Sequence, residues 1–228
     1  MGVNLTKEQK QEILQQSDRL TAKQLAEQYG CSRSLILKIW MDNNYHKPSG
    51  FHYYVDDNYF ASIDSANKAY ILGLMASDGN VYRRQGHQGQ LRLCLKDGES
   101  ERKLLKQILE DMRATNPINC ITRNNRSYVA ISIVSQQIFD DLGRIGITPN
   151  KTWNININKI INHVPVKFYC DFLRGYFDGD GCVTSTNNKN PSEIRVSISC
   201  PSYSAPDFIK ILENLRITAS FIKDKRQE

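Results

Sequence analysis

The sequence lacks the features that mark membrane, secreted and zinc-binding proteins. No segment approaches the roughly 18 consecutive apolar residues that a membrane span needs. The polar start, MGVNLTKEQKQEILQQ, has no apolar core of the signal-peptide type. The six cysteines are scattered and the four histidines do not cluster, so neither a disulfide scaffold nor a zinc site is indicated. We therefore expect a cytoplasmic or otherwise intracellular protein that is not secreted and contacts no membrane.

The charge balance is only modestly basic. The 228 residues include 30 Lys and Arg against 24 Asp and Glu, which gives a formal net charge of +6. Such an excess suits a nucleic-acid partner but is too small to establish one. The length fits one large domain or two unequal ones.

Residues 1–47 are predicted to form a small all-α helix-turn-helix module. Thr6 and Gln9 form a capping-box pattern, Thr21 can cap a second helix, and Gly30 fits a left-handed turn before a third. The alternative is a three-helix packing module with a solvated polar face. In a helix-turn-helix, the N-terminal residues of the last helix lead into the major groove. The candidate DNA contacts are therefore Ser32, Arg33, Ser34 and Lys38.

Residues 48–64 are predicted to be a linker, because Pro48 and Gly50 interrupt regular structure there. Its aromatic residues indicate that part of it packs on the domain that follows. From residue 65 the pattern changes to alternating helices and strands.

Residues 65–165 and 166–228 are predicted to be an internal repeat of α+β type. The first is expected to run helix, two strands, helix, two strands, helix, and the second begins the same order again. Gly73 and Gly175 are 102 residues apart, and the strand residues 91, 93 and 95 match 194, 196 and 198 at an offset of 103. The expected helices end at 77, 112 and 143 in the first repeat and at 177 and 215 in the second. The expected strands are 80–83, 90–96, 119–123 and 128–133, then one starting at 183, 193–199 and 218–223.

Each repeat carries Gly-x4-Asp-Gly at the end of an apolar helix. A helix that is apolar nearly all round must be buried on several sides, so the two helices most simply bury each other, with Gly73 and Gly175 at their interface. Asp78 and Asp180 would then lie side by side. Carboxylates about 4 Å apart repel by roughly 4 kcal/mol at an effective dielectric near 20, so the pair needs a cation or a shared proton. Oxygen ligands suit magnesium, and a metal between carboxylates is a recurring device for phosphodiester cleavage.

At these residues the sequence resembles the LAGLIDADG homing endonucleases, over about residues 65–228. The motifs are Leu72–Gly79 and Leu173–Gly181. The resemblance implies αββαββα repeats in a pseudo-two-fold arrangement, with two curved sheets on double-stranded DNA and both strands cut across the minor groove. It implies that Asp78 and Asp180 hold Mg²⁺ or Mn²⁺. It also implies a basic residue near the active site, which Lys151 matches, and an exposed surface lysine is the alternative reading of that residue.

Basic residues on the predicted strands supply charge for phosphates or guanine edges, although the pattern does not decide which of them face DNA. The candidates are Arg83, Arg92, Arg123 and Arg195, with Arg84, Arg126 and Lys189 as further members of the set.

The second repeat is expected to lack a fourth strand, a last helix and a counterpart of Lys151. The protein is then either a monomer with pseudo-two-fold symmetry or a dimer that completes the short repeat, and nicking of one strand is open. The leading prediction is a magnesium-dependent, site-specific DNA endonuclease of the homing type, from a phage, intron or other mobile element. The alternatives are a non-catalytic helix-turn-helix regulator on a retained scaffold and a maturase that binds intron RNA.

Overall fold

A computed structural model describes residues 5–17, 20–43, 45, 53–185 and 194–223. The chain divides into two units, Met1–His52 and Tyr53–Glu228, and each has its own hydrophobic core. Lys189 lies outside the described residues. No helix within the described ranges is both long enough and apolar enough to cross a membrane.

The smaller unit contains three helices, α1 (Lys7–Gln16), α2 (Ala22–Gln28) and α3 (Arg33–Asp42). A reciprocal capping box begins α1, as the Thr6 and Gln9 pattern predicts, and Thr21 caps α2 as predicted, there too in a reciprocal box with Gln24. Ser32 caps α3 by accepting a hydrogen bond from the Leu35 amide. Gly30 has a φ of +60°, so the turn between α2 and α3 uses the left-handed conformation that glycine permits.

Two consecutive hydrogen bonds pair the polar groups of Trp40 and Ser17 in the core of the smaller unit. The indole Nε1 of Trp40 donates to Ser17 Oγ over 2.6 Å, and that hydroxyl donates in turn to the carbonyl of Ile13. Because both buried polar groups are paired, the apolar faces of all three helices can close around them. The buried side chains are Ile13, Ala22, Leu25, Ala26, Ile36, Ile39 and Trp40.

Residues 53–64, which the sequence predicts as the end of a linker, belong to the larger unit. The Tyr54 amide donates to Thr115 Oγ1, and the Thr115 amide donates back to the Tyr54 carbonyl, both over 2.9 Å. The buried side chains of this segment are Val55, Tyr59, Phe60 and Ile63. The linker prediction therefore extends too far, because these apolar residues are packed without the periodicity of a helix or strand.

The first repeat has the predicted order of elements. They are α4 (Ala66–Ser77), β1 (Asn80–Arg83), β2 (Gly89–Lys96), α5 (Glu99–Asp111), β3 (Asn119–Arg123), β4 (Arg126–Val134) and α6 (Gln136–Ile145). The four strands form one antiparallel sheet in the order β1-β2-β4-β3. One face of this sheet is buried through Val81, Leu91, Leu93, Val129, Ile131 and Ile133.

The predicted end of α6 at residue 143 is wrong. The helix continues through Gly143 to Ile145 and ends at Gly146, whose φ is +125° and whose amide bonds to the Leu142 carbonyl over 2.9 Å. The second glycine supplies the positive φ that stops the helix, so the first one is simply an interior helical residue. Two short helices not predicted from the sequence follow, α7 (Lys151–Asn154) and α8 (Ile157–Ile161).

The second repeat is described as α9 (Tyr169–Asp180), β5 (Gly181–Ser185), β6 (Ile194–Ile198) and α10 (Ala205–Asn214), with short 3-10 turns before each helix. β5 and β6 pair as an antiparallel hairpin. The predicted strand at 218–223 is wrong, since residues 217–223 have no regular secondary structure. A strand needs a neighbour to bond with, and this segment pairs with none of the described strands.

Strand pairing corrects the alignment of the two repeats. Asn80 lies opposite Arg92, and Cys182 lies opposite Ser197. Aligning Asp78 with Asp180 places Asn80 on Cys182, so their strand partners Arg92 and Ser197 match as well. These partners are 105 residues apart (197 minus 92), whereas the sequence pattern predicts an offset of 103. The loop between the strands is three residues longer in the second repeat, and this insertion accounts for the shift.

The corrected alignment shows that the second sheet is less covered than the first. Val81 is 2% exposed, whereas the matching Val183 is 60% exposed. Leu91 is 3% exposed, whereas the matching Val196 is 65% exposed. In the first repeat, β4 pairs with the open edge of β2, and α5 and α6 pack on the buried face. Within the described residues, the second sheet has no counterpart of β4.

Candidate active site and nucleic-acid face

The two motif helices, α4 and α9, pack backbone against backbone at their glycines. A Cβ on Gly73 would overlap the Phe172 carbonyl oxygen and lie 2.8 Å from the backbone nitrogen of Tyr176. A Cβ on Gly175 would overlap the carbonyl oxygen of Tyr70 in the same way. Only glycine permits this approach, so the structure brings together the two residues that the repeat places at a helix interface.

The close approach of the helices places both motif aspartates at one site. Asp78 directly follows α4 as its C-cap, and Asp180 is the last residue of α9. A Cβ on Gly179 would lie 3.2 Å from the carboxyl carbon of Asp78, so the first aspartate lies against the second motif. Asp78 is exposed and Asp180 is partly exposed, which leaves both carboxylates open to a ligand.

The surrounding protein nevertheless disfavours the charge on both carboxylates. Burial beneath the helix ends raises the pKa of Asp78. Burial also raises the pKa of Asp180, and the negative charge of Asp78 raises it further. The pair is therefore a site of concentrated negative charge that a nearby cation would stabilise.

Lys151 supplies one positive charge to this site. It is the first residue of α7, and its Nζ donates to the carbonyl oxygens of Ala76, over 2.9 Å, and Ser77. Burial lowers the pKa of Lys151, while the charges of Asp180 and Asp78 raise it. In return, the ammonium lowers the pKa of both aspartates. Lys151 is thus a partly buried member of the site and not a free surface lysine.

Three residues near the carboxylate pair were not predicted from the sequence. The charge of Asp180 adds to burial in raising the pKa of Tyr176 and of Cys200. Tyr70 Oη donates to Asp178 Oδ2 over 2.8 Å, which ties α4 to the last turn of α9. In the sequence these residues read as core aromatics and a scattered cysteine, and only the helix packing brings them together.

The donor set of this site is limited to oxygen. No group of three or more His, Cys, Asp or Glu side chains within the described ranges could hold a metal ion. The two motif carboxylates are hard oxygen donors with raised pKa values. A divalent cation would offset both the free-energy cost of burying their charge and their mutual repulsion. The residues present therefore fit Mg²⁺ or Mn²⁺, provided that backbone, water or phosphate oxygens complete the coordination.

The side of the first sheet away from the core, which we call the outer face, carries several basic residues. Arg92 lies between Asn80 and Ser132, and Lys96 lies opposite Tyr128. Because side chains alternate along a strand, these residues project from the side opposite the buried Leu91 and Leu93. Arg92 is therefore placed on a surface where a ligand can reach it.

The β3–β4 hairpin adds two arginines to the outer face. Arg123 lies directly opposite Arg126, next to a two-residue turn in which Asn124 and Asn125 both have positive φ. Like charges placed opposite each other are destabilising, and within the described ranges neither arginine forms an ion pair. A concavity of about 510 Å³ opens here, lined by Cys94, Arg123, Asn124, Arg126 and Tyr128. This tip is well suited to an anion.

The other two candidate strand arginines lie in different positions. Arg83 alternates to the same side as the buried Val81, and its Nε donates to the His87 carbonyl over 3.0 Å. Arg195 lies opposite Thr184 on the side of the second sheet that corresponds to the outer face. The structure therefore groups Arg92 with Arg123, places Arg195 on the equivalent face of the other repeat, and separates Arg83 from both.

In the smaller unit, the exposed side of α3 carries the predicted DNA contacts. Arg33, Ser34 and Lys38 are exposed, whereas the Ser32 hydroxyl is engaged in capping the helix. Leu37 and Met41 are exposed on the same helix and were not predicted as contacts. This surface combines positive charge with apolar groups, which suits the floor of a DNA groove.

Comparison with known proteins agrees with this fold. A family model described as a LAGLIDADG-like domain matches residues 167–228. A stretch of 119 residues is 28% identical to a probable phosphoenolpyruvate synthase of Methanocaldococcus jannaschii. That stretch covers 52% of this chain but only 9% of the relative, so the chain spans a small part of that protein.

Solved structures extend the likeness to about three quarters of the chain. The homing endonuclease I-WcaI, bound to its DNA recognition sequence, matches with a TM-score of 0.51 and 13% identity, over 74% of this chain and 76% of that one. I-DmoI in complex with DNA and Mn matches with a TM-score of 0.48 and 17% identity, over 71% and 85%. At 13% identity, the likeness to I-WcaI shows the fold alone. The resemblance to LAGLIDADG proteins and the α+β class are confirmed.

Proposed function

We propose that this chain, with its LAGLIDADG fold, is a site-specific endonuclease that hydrolyses phosphodiester bonds in duplex DNA with the help of a divalent metal. One observation carries the proposal: the ends of the two motif helices bring Asp78, Asp180 and Lys151 into one electrostatic site. Such a site opens to solvent beside a sheet whose outer face is basic, so a polyanion can reach it.

The aspartates would be the metal ligands. Mg²⁺ or Mn²⁺ bound there supplies Lewis-acid stabilisation of charge on the phosphate and lowers the pKa of a bound water. The backbones of Asp78 and Asp180 are held in place because each residue ends a helix that packs closely on its partner at Gly73 and Gly175. Rigid support of this kind keeps the oxygen donors in position when substrate arrives.

Lys151 would act on the reacting phosphate or on the attacking water. An ammonium has three donors, and two of those of Lys151 go to the carbonyls of Ala76 and Ser77. The third is free to donate to a non-bridging phosphate oxygen or to orient water. A cation held in this way stabilises negative charge that develops during cleavage.

DNA would be held by the outer face of the first sheet and by α3 of the smaller unit. Arg92 and the Arg123–Arg126 tip supply charge at the sheet, and Arg195 supplies it on the second sheet. Phosphate contacts position a duplex, whereas contacts to base edges read its sequence. The helix-turn-helix module would lengthen the recognised site through Arg33 and Lys38.

The test is cleavage of a randomised duplex library in Mg²⁺, with sequencing of the ends produced. We expect cut products with a recurring sequence from the wild type, and a loss of at least a hundredfold in cleavage from Asp78→Asn and from Asp180→Asn. Asp140→Asn, which changes an exposed carboxylate on α6, is the matched control and should cut like the wild type.

The outcomes separate this proposal from its competitors. Unchanged cleavage in both motif variants would refute the assigned site. A bound consensus duplex with no cutting at any Mg²⁺ concentration would support a DNA-binding regulator instead. Preference for a structured intron RNA over every duplex would support a maturase.

A further inference from the structure

Trp153 is the most exposed of the large apolar side chains within the described ranges. It is 84% exposed and lies in α7, two residues after Lys151. Tryptophan is normally highly buried, and it is enriched where proteins bind partners. A solvent-exposed indole beside the proposed active site therefore indicates a surface that a binding partner covers.

The backbone around Trp153 is held in place independently of the indole. Asn150 has a φ of +59°, and its carbonyl accepts from the Trp153 amide over 3.0 Å. The Ile155 amide bonds to the Lys151 carbonyl over 2.8 Å, and the Ile155 side chain is buried. The indole is thus presented by a fixed turn, so little ordering is needed when a ligand covers it.

The chain around Trp153 has the charge of a polyanion-binding surface. No aspartate or glutamate lies between Asp141 and Asp171. The basic residues in that interval are Lys151, Lys159 and Lys167, together with Arg144, which forms an ion pair with Asp141. Such a stretch is complementary to a phosphate backbone and unfavourable for an acidic protein partner.

The direction of the indole decides which part of DNA it would contact. Successive helical residues are turned by about 100°, so side chains two positions apart leave the helix on nearly opposite sides. Because Lys151 Nζ reaches the carbonyls at the end of α4, Trp153 points to another part of the surface. An indole offers a large apolar face and one donor, which fits a deoxyribose and base better than a phosphate.

We propose that Trp153 packs on the sugar and base of a nucleotide flanking the cleaved phosphate, and so helps to position bound duplex DNA. The inference rests on the proposed function, because it requires duplex DNA to run past the carboxylate pair. It adds a contact outside the two sheets and outside the helix-turn-helix module.

The first test uses the fluorescence of the two tryptophans. Trp40 is buried and bonded to Ser17, so acrylamide quenching of the free protein reports mainly Trp153. The probe is a duplex selected from a random library with the Asp180→Asn variant, and fluorescence anisotropy of the labelled duplex measures its binding. We expect the duplex to lower the quenching constant of wild type severalfold, and Trp153→Phe to remove the accessible component.

The second test is affinity for the same duplex. Stacking of a base on an aromatic side chain contributes binding free energy, so Trp153→Ala should raise Kd by about tenfold or more. Trp153→Phe keeps an aromatic ring and should change Kd by less than about threefold. Val166→Ala removes another exposed apolar side chain, 67% exposed, from the same acid-free stretch. That control variant should bind like the wild type.

The inference is overturned if the duplex binds while Trp153 stays equally open to acrylamide, or if Trp153→Ala binds as tightly as wild type. In both cases DNA binding and the proposed function would stand. If no duplex binds, the proposed function and this inference fall together. Protection of Trp153 by a structured RNA alone would overturn the assignment to DNA.

Discussion

At the scale of single residues, the carboxylate pair and Lys151 depend on one another for their charge. Burial raises the pKa of both aspartates and lowers that of Lys151, and the opposite charges offset this effect only in part. This mutual dependence makes Lys151 more than a donor to substrate. Its ammonium also favours the ionised form of Asp78 and Asp180, which is the form that the proposed metal would need.

Replacing Lys151 with methionine should therefore change the pH dependence as well as the rate. Without the ammonium, the pKa values of both aspartates rise further, so the acid limb of the pH–rate profile should move to higher pH. We expect cleavage at pH 8 to fall by about 10²–10³, the usual loss when one charge-stabilising donor is removed. Single-turnover cleavage between pH 5 and 9 measures both effects. A slower enzyme with an unshifted acid limb would contradict the coupling.

The same electrostatics predict that Asp180 costs stability when no metal is bound. Its folded pKa lies above the unfolded value. Its destabilising effect is therefore absent below the unfolded pKa, grows between the unfolded and folded pKa values, and is complete above the folded pKa. In EDTA, Asp180→Asn should therefore raise Tm by a few degrees at pH 7 and by less at pH 4.

Thermal melts with and without Mg²⁺ provide the measurement. Mg²⁺ should raise Tm of the wild type but have little effect on Asp180→Asn, because a ligand stabilises only the state that binds it. Asp140→Asn should behave like the wild type under both conditions. A lower Tm for Asp180→Asn in EDTA at pH 7 would show that the carboxylate is structurally required.

At the scale of elements, the fold depends on the contact between α4 and α9. Gly73→Ala and Gly175→Ala should each destabilise the protein by more than about 3 kcal/mol, because the added methyl meets backbone atoms that cannot move aside. Gly143→Ala is the matched control. A Cβ at Gly143, inside α6, meets nothing within 4 Å, so this change should stabilise by about 0.5–1 kcal/mol. Urea denaturation of the three variants tests the comparison, and equal effects would refute the close packing.

Much of the fold follows from local sequence signals. Thr6 and Thr21 cap α1 and α2 as predicted, since a cap depends only on the next few residues. The repeated Gly-x4-Asp-Gly pattern also identified the glycine interface and the aspartate pair. Both features are encoded within single helices and made visible by their repetition.

Other features depend on contacts that no local pattern encodes. Which of Gly143 and Gly146 ends α6 depends on the backbone angle at each residue, and the strand offset depends on a loop insertion. The Tyr70–Asp178 hydrogen bond joins residues 108 positions apart in the sequence. No local pattern indicates that Trp153 is exposed, and only the structure shows it.

At the scale of the whole molecule, two units with separate cores share the proposed binding of DNA, and the larger unit alone carries the proposed cleavage site. Each unit closes its own set of buried side chains. Charge on α3 of the smaller unit can therefore be removed without disturbing the carboxylate pair. DNA affinity and the cleavage step should then be separable by substitution.

Replacing both Arg33 and Lys38 with alanine should weaken binding without slowing the cleavage step. We expect Kd for the selected duplex to rise by about tenfold and the slope of log K against log salt to fall by about two, because each lost phosphate contact removes about 0.9. Cleavage of duplex bound at saturation should keep its rate. Lys103→Ala with Lys106→Ala removes the same charge from exposed positions on α5 and should leave the slope nearly unchanged. A tenfold slower cleavage at saturation would show instead that the smaller unit takes part in assembling the active site.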